Sequence, residues 1–573
     1  MKKQIFRILA LISLFSFNSI LFSEASVNNV EDSLEDTSGR ERIDCIIKQI
    51  QHDIVPGMSE PISYIATSNL DKDLNIEEIA NFFNCKTVMG NTFLKETLQR
   101  PVSPIDQSKI IDLRKNAIAQ LVHNPNLKKQ VEILLKIAAE QEKVVIELMS
   151  NTFKGQSCSE LTVLKQLEEQ KHPLYSWAKF NVYNPVIRTI SFAELLSYTV
   201  LLSAATPIFG MAAIKEPDYT VPAVYSGLGL AVMGYALYKD CYDAGQKRVR
   251  MHALNQLIHI SESIQNFSEE FKFETQFKLS LITNDADCAI IDGLKYSRYE
   301  DKTNYWFFVP VVHTFLYQVY EKESQLAQVF ASIAEMDAYN AIATKILESQ
   351  ASEHKFCFAT VIQSSKPQIK SKSFWNVLVP NAVVNSMDQD KHVILTGPNA
   401  GGKTTSIRAI LQNIILAQTF GVAAAELFEY TQFDVILSYL NISDDLLNGL
   451  SLFASEIKRA KELVEIIKEL APDQKLFFVL DELFTGTAAE QGEKCAYEFI
   501  KKTAGYDQIL FIYATHFNKL KELGNQDFGL MNYKVNAPTK NNAGKLVYPF
   551  TLSAGASDIN IAEDMAREAG LFD

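Results

Sequence analysis

The chain has 573 residues, too many for one hydrophobic core, and its composition of 47% apolar and 21% charged residues excludes a largely disordered protein. The net charge of −13 and the absence of a long Lys/Arg run argue against extensive contact with nucleic-acid phosphates. A local basic patch on the surface is compatible with this net charge. Seven scattered cysteines without a CxxC pair indicate buried thiols in a reducing compartment rather than disulfides or a zinc site.

The N-terminus has the layout of a secretory signal peptide. A positively charged start precedes an apolar stretch from Ile8 to Phe22, and small residues follow at Ser23–Ala25. An uncleaved anchor or an interfacial helix over residues 1–25 is the open alternative. Residues 26–80 are predicted to be a linker and N-terminal segment, polar and acidic at Val30–Thr37.

Residues 81–350 are predicted to form a mostly α-helical core, or lever, domain. Apolar residues recur at helical spacing from Leu127 to Met149 and again from about Ser324 to Ser349. Between these helices, residues 195–238 hold two uncharged stretches of twenty residues each, Leu195–Ile214 and Tyr219–Tyr238, joined by four residues. Each stretch is long enough to cross a bilayer, so the pattern predicts a transmembrane hairpin. A buried helical hairpin in a soluble core is the alternative.

Residues 351–573 change to the pattern of an α/β domain. Short apolar runs begin at Val393, Leu476 and Ile509, each bounded by polar residues and separated by helical stretches. Such runs are typical of the buried strands of a parallel sheet.

A glycine-rich loop follows the first of these strands. Gly397-Pro-Asn-Ala-Gly-Gly-Lys-Thr404 has the spacing of a P-loop and opens a predicted helix, Thr405–Gln418. Glycines allow several N–H groups to face one phosphate at the positive end of a helix, Lys403 supplies charge to the phosphates, and the Thr404 hydroxyl ligates Mg²⁺. The pattern predicts ATP binding by Asn399, Gly401, Gly402, Lys403, Thr404 and Thr405.

Two further strands end in residues suited to hydrolysis. Asp481 ends the run from Leu476, where its carboxylate is placed to hold Mg²⁺, and Glu482 beside it is placed to act as general base on the attacking water. His516 follows the run from Ile509 and is placed to bond the γ-phosphate or that water. We therefore predict Glu482, His516 and Lys403 as catalytic residues, and Thr404 and Asp481 as metal ligands.

In order, these motifs resemble those of the MutS family of DNA mismatch-repair ATPases, a branch of the ABC-type fold. Thr396–Thr405 is similar to the family's TGPNMGGKST loop, Ser443–Phe453 with Glu456 to its SDD…G.STF..E segment, Asp481–Thr487 to DEIGRGT, and Ala514–His516 to ATH. Residues 555–571 resemble the family's closing SYGI.VA..AGLP stretch, and Thr87–Pro101 resembles the start of its lever domain.

The resemblance implies an ATPase that uses ATP and Mg²⁺, dimerises when ATP binds, and binds mismatched DNA. Ser451 matches the family's Ser that reaches the partner's nucleotide; it is also placed to cap the following helix. The chain departs from the family in two ways: about eighty residues precede the lever region, too few for the mismatch-recognition domain, and the hairpin 195–238 stands where the family carries its DNA clamp. We therefore expect a membrane-associated variant that lacks the mismatch-recognition domain.

The hairpin and the N-terminus predict different topologies. Basic residues on both sides of 195–238 place both flanks in the cytoplasm by the positive-inside rule, whereas a signal peptide would export them to a compartment where ATP is scarce. We expect a membrane-associated protein with its ATPase domain cytoplasmic. The alternative function to mismatch repair is accordingly a membrane-anchored mechanical ATPase that couples ATP-driven dimer closure to the hairpin.

Overall fold

The computed structural model describes residues 67–102, 104–151, 252–275, 323–398, 400–440, 452–524, 528–542 and 545–557, together with 563, 566, 567 and 571. The signal-like segment 1–25, the hairpin 195–238, Asn399 and Ser451 lie outside the described residues. The chain divides into two compact units, one of Met1–Ile47, Lys136–Ser263 and Lys278–Ile333, the other of Lys48–Leu135, Ile264–Phe277 and Ala334–Asp573. The domain boundaries drawn from the sequence stay a prediction.

The described part of the first unit is helical. Residues 252–263 belong to a helix that continues to 270, and its apolar face is buried at Leu254, Leu257 and Ile258. The Ser261 and Ser332 hydroxyls lie 2.5 Å apart and satisfy each other in this buried setting.

The second unit begins with a helical part. The separate helices follow from local breaks, since Asn75 and Asn84 adopt left-handed conformations that end one helix and start the next. Thr87 caps a later helix by accepting a hydrogen bond from the Gly90 amide at 2.9 Å. The helices are Thr67–Leu74, Ile76–Phe83, Val88–Leu98, Pro104–His123, Pro125–Asn151 and Glu323–Ser349, the last two running on into the first unit.

A six-stranded sheet forms the centre of the C-terminal α/β part. Its strand order is Leu552–Ala554, Leu530–Val535, His392–Thr396, Ile509–Ala514, Leu476–Asp481, Val435–Tyr439. The last five strands are parallel and the first is antiparallel to its neighbour. The three middle strands are apolar along nearly their whole length because helices cover both faces of a parallel sheet.

The covering helices and smaller sheets complete this part. The helices are Lys403–Phe420, Leu452–Glu469, Ala489–Thr503 and Asn518–Leu523. A four-stranded sheet has the order Thr360–Val361, Leu427–Tyr430, Ile369–Phe374, Asn385–Gln389, and two strand pairs are Cys357–Phe358 with Val422–Ala423 and Thr539–Lys540 with Leu546–Val547. The sequence prediction of a mixed α/β C-terminal region behind a helical part is confirmed.

The helical part is tied to the end of helix Lys403–Phe420. Arg114 donates to the Thr419 carbonyl at 2.7 Å, and the Val102 amide donates to the Gln418 carbonyl at 3.0 Å. Lys115 packs so closely on Gly421 that a Cβ there would lie 2.9 Å from the Lys115 Cβ. Gly421 also has a φ of 68°, so glycine suits this position twice over. A separate tie reaches the central sheet, where the buried Asp73 carboxylate accepts from the Ser438 hydroxyl of strand Val435–Tyr439.

The membrane-associated location predicted from the sequence is wrong. Among the described residues, no helix combines the length and the apolar character needed to span a bilayer. The helix Pro125–Asn151 is long enough to span a bilayer, but charged residues recur along its sequence. The hairpin from which that location was argued is not among the described segments.

Candidate nucleotide site

Three adjacent parallel strands bring the predicted site residues to one edge of the central sheet. The glycine loop (397–402) follows strand His392–Thr396, Asp481 ends strand Leu476–Asp481, and His516 follows strand Ile509–Ala514, which lies between the other two. Because parallel strands point the same way, their carboxyl ends meet at this edge. Residues more than a hundred positions apart thereby become neighbours.

The glycine loop has a backbone that ordinary residues rarely adopt. Gly402 has a φ of 98° and is followed at once by helix Lys403–Phe420, whose first turns are closed by the Ser406 amide donating to the Gly402 carbonyl at 3.0 Å. Gly397 lies against the neighbouring strand, where an added Cβ would stand 2.9 Å from the Val535 Cβ. The loop therefore sits at the amino end of an eighteen-residue helix, where N–H groups and the helix dipole favour an anion.

Lys403 is the buried cation of the site, with only 5% of its surface exposed. Its Nζ donates to the Gly397 carbonyl at 3.1 Å and the Pro398 carbonyl at 3.3 Å. Burial lowers the pKa of Lys403, and the charges of Glu482 and Asp481 partly offset that effect. A lysine held by neutral carbonyls can exchange them for a phosphate, which offers full charge compensation.

His516 links Lys403 to Glu482. The His516 Nε2 lies 2.8 Å from the Glu482 Oε1 and 3.0 Å from the Lys403 Nζ. One ring nitrogen serves one of these bonds at a time: carrying a proton it donates to Glu482, and without one it accepts from Lys403. The hydrogen bond from His516 is the largest cause that lowers the pKa of Glu482, so this half-exposed carboxylate stays ionised near neutral pH.

Thr404 and Asp481 form an oxygen pair. The Thr404 hydroxyl donates to the Asp481 Oδ2 at 2.5 Å, while the Asp481 Oδ1 is buried without a hydrogen-bond partner. Burial raises the pKa of Asp481. A hydroxyl and a carboxylate are ligands of the kind Mg²⁺ prefers, and an orphaned buried carboxylate oxygen is what a cation would satisfy.

The sequence alone assigns no role to two features of the site. The Glu456 carboxylate accepts from the Thr485 and Gly486 amides, just beyond Glu482. Phe550 lies over the glycine loop, since a Cβ at Gly402 would stand 3.1 Å from its ring; it is 42% exposed and stacks on Tyr548 at 5.7 Å. Glu456 belongs to the segment that resembles the family's SDD…G.STF..E motif, which could have pointed to it. No feature of the sequence singles out Phe550.

The predicted residues are therefore partly assembled. Gly401, Gly402, Lys403 and Thr404 lie in the glycine loop and the first turn of its helix, opposite Asp481, Glu482 and His516. Thr405 has an exposed side chain, and its carbonyl accepts from the Asn376 side chain at 3.3 Å. Asn399 and Ser451 belong to the undescribed residues, so their predicted roles stay predictions.

Comparison with known proteins agrees with this geometry. Residues 393–572 match the family model described as MutS domain V. These matches support the resemblance of this chain to the MutS family. One relative is the DNA mismatch repair protein MSH3 of Candida glabrata, 31% identical over 34% of this chain and 19% of that protein. Others are the DNA mismatch repair proteins MutS of Caldicellulosiruptor saccharolyticus, 29% identical over 36% of this chain and 23% of the relative, and of Streptococcus agalactiae, 30% identical over 34% and 22%.

The matches cover only part of each relative. This chain spans between 19% and 23% of the length of these three relatives. The membrane-anchored mechanical ATPase weighed as an alternative receives no support from the matches or from the described helices. The lack of a mismatch-recognition domain stays a prediction.

Proposed function

We propose that the MutS-type region binds ATP with Mg²⁺ and hydrolyses it. The observation that carries the proposal is the meeting, at one sheet edge, of a buried lysine, a hydroxyl–carboxylate pair and a histidine-bonded carboxylate. Each has a distinct task in phosphoryl transfer to water, which depends on positioning and on charge stabilisation.

The glycine loop and Lys403 bind the phosphates. Backbone N–H groups of the loop face the β-phosphate at the amino end of the helix, and Lys403 exchanges the Gly397 and Pro398 carbonyls for phosphate oxygens. Thr404 and Asp481 are the residues that would hold Mg²⁺. When bound, the ion neutralises charge on the β- and γ-phosphates. The exposed ring of Phe550 offers a stacking face for the adenine.

Glu482 and His516 act on the attacking water. The Glu482 carboxylate accepts a hydrogen bond from that water and orients it toward the γ-phosphorus. The new O–P bond forms as the bond to the β–γ bridging oxygen breaks, ADP leaves, and the proton that the water loses passes to Glu482. A lowered pKa makes Glu482 a weak proton acceptor, so orientation is the larger part of its contribution. Once Lys403 turns to the phosphates, the His516 Nε2 is free to donate to Glu482 alone and to hold it in place.

The relatives' names support a wider role in DNA mismatch repair. By that resemblance we propose that the chain forms a homodimer when ATP binds, with Ser451 reaching the partner's nucleotide, and that it binds DNA. Mismatched DNA is the ligand that the relatives suggest.

ATP turnover by the full-length chain tests the proposal. The reaction is run alone, with fully paired duplex and with mismatched duplex, and Lys403→Ala supplies the blank. We expect turnover above the blank that is raised by DNA, and a further rise with the mismatch would contradict the predicted lack of a mismatch-recognition domain. Turnover no faster than that of Lys403→Ala would refute the ATPase, and turnover indifferent to DNA would refute the repair role.

A further inference from the structure

The segment from Glu482 to Gly486 has a backbone conformation that its residues do not favour. Glu482 has a φ of 55° and Phe484 a φ of 71°, both in the left-handed region. Each such residue costs on the order of 1 kcal/mol when it is not glycine, so the fold must fix the segment by other contacts. The position of the Glu482 carboxylate depends on this backbone.

The sheet fixes one side of the segment. The Glu482 amide donates to the Ala514 carbonyl at 3.0 Å, and the Tyr513 hydroxyl donates to the Leu483 carbonyl at 2.7 Å. Both partners belong to the neighbouring strand Ile509–Ala514. These two bonds anchor the beginning of the segment only.

Glu456 fixes the other side. It lies in helix Leu452–Glu469 and is 2% exposed. Its Oε1 accepts from the Thr485 amide at 3.0 Å and the Gly486 amide at 3.3 Å, and its Oε2 lies 3.1 Å from the Gly486 amide.

Gly486 permits this close approach. An added Cβ would stand 2.8 Å from the Phe453 amide nitrogen and 3.1 Å from the Glu456 Oε2. The segment and the start of the helix therefore touch backbone to backbone, and a side chain at Gly486 would push them apart.

We propose that Glu456 is a positioning residue for Glu482. It acts through the backbone of Thr485 and Gly486 and makes no contact with the glycine loop among its described bonds. Loss of Glu456 therefore lets the segment relax and moves the Glu482 carboxylate away from the attacking water, while phosphate binding is kept. A displacement of about 1 Å costs on the order of a hundredfold in rate. The inference rests on the proposed ATPase function.

The test compares two substitutions at Glu456 in the full-length chain. Glu456→Ala removes both acceptor oxygens, whereas Glu456→Gln keeps one oxygen. Glu465→Ala is the control, because Glu465 lies exposed on the same helix in an ion pair with Lys461 at 3.7 Å. The measurements are kcat, KM for ATP, the Kd of a non-hydrolysable ATP analogue, and the melting temperature.

We expect Glu456→Ala to lower kcat by about tenfold to a hundredfold with the analogue Kd unchanged. Glu456→Gln should lower kcat less, because it keeps an acceptor for the Thr485 amide but sets an NH2 group against the Gly486 amide. Equal kcat for Glu456→Ala and Glu465→Ala in folded protein would overturn the inference, even with a lower melting temperature. If Glu456→Ala does not fold, Gly486→Ala serves as the second variant, and it must show the same fall in kcat. A wild-type chain without turnover would refute the ATPase proposal itself, a distinguishable failure.

Discussion

His392 is expected to make the α/β part sensitive to acid. It opens strand His392–Thr396, is 6% exposed, and stacks on Phe511 with the rings 4.2 Å apart and 8° from parallel. Its Nδ1 is buried with no partner. Burial lowers the pKa of His392 from 6.5 to about 4, against smaller opposing effects of the Ala504 backbone and Asp507. The ring is therefore neutral in the folded protein.

The size of the effect follows from that pKa difference. The unfolded chain binds a proton below about pH 6.5 and the folded chain only near pH 4, so stability is fully present above 6.5 and is lost as the pH falls. At 1.36 kcal/mol per pH unit, the loss reaches about 2 kcal/mol at about pH 5 and about 3 kcal/mol below pH 4. His392→Gln removes the titrating group and should remove this loss.

Urea unfolding of wild type and His392→Gln across a pH series measures the difference. Other titrating groups are common to both proteins and cancel in the comparison. We expect the stability gap between the two to shift by about 2 kcal/mol in favour of His392→Gln between about pH 7.5 and pH 5. A gap that stays constant with pH would refute the argument, because it would mean that His392 titrates alike in the folded and unfolded chains.

Three predictions concern the nucleotide site. Lys403→Ala should abolish nucleotide binding, measured by calorimetry with ATP and Mg²⁺; retained tight binding would rule out the phosphate role. Glu482→Ala should bind ATP normally but hydrolyse it about a hundredfold or more slower in single-turnover assays, and normal turnover would remove Glu482 from the mechanism. Because burial lowers the pKa of Lys403, kcat/KM should fall with rising pH at a value below 10.5, the ordinary lysine pKa; a limb at or above 10.5 would contradict the burial argument.

The sequence placed the predicted site residues near the ends of apolar runs. Asp481 ends one run, His516 lies two positions after another, and Lys403 follows the glycine loop after a third; the geometry of parallel strands brings such positions together. The predicted helix Thr405–Gln418 is observed as Lys403–Phe420, within the usual uncertainty of helix ends. Local pattern and sheet topology thus carried most of this information.

The remaining features depend on contacts between distant residues. Arg114 bonds Thr419 across 305 positions, and neither residue type predicts the other. The left-handed backbone at Glu482 and Phe484 is also invisible in sequence, since neither is a residue that favours it. The membrane location, which rested on the apolar length of 195–238 and on the basic residues that flank it, was wrong, since no helix among the described residues offers a span.

The hydrogen bonds that join the helical part to helix Lys403–Phe420 and to Ser438 affect which fragments of this protein can fold. A fragment that begins at residue 351 would leave the Thr419 and Gln418 carbonyls without Arg114 and Val102, and Ser438 without Asp73. Groups left unpaired in this way cost roughly 1–3 kcal/mol each if they stay buried. The C-terminal α/β part is thus not expected to fold by itself, and the shortest fragment worth expressing begins ahead of helix Thr67–Leu74 and keeps the helices down to His123.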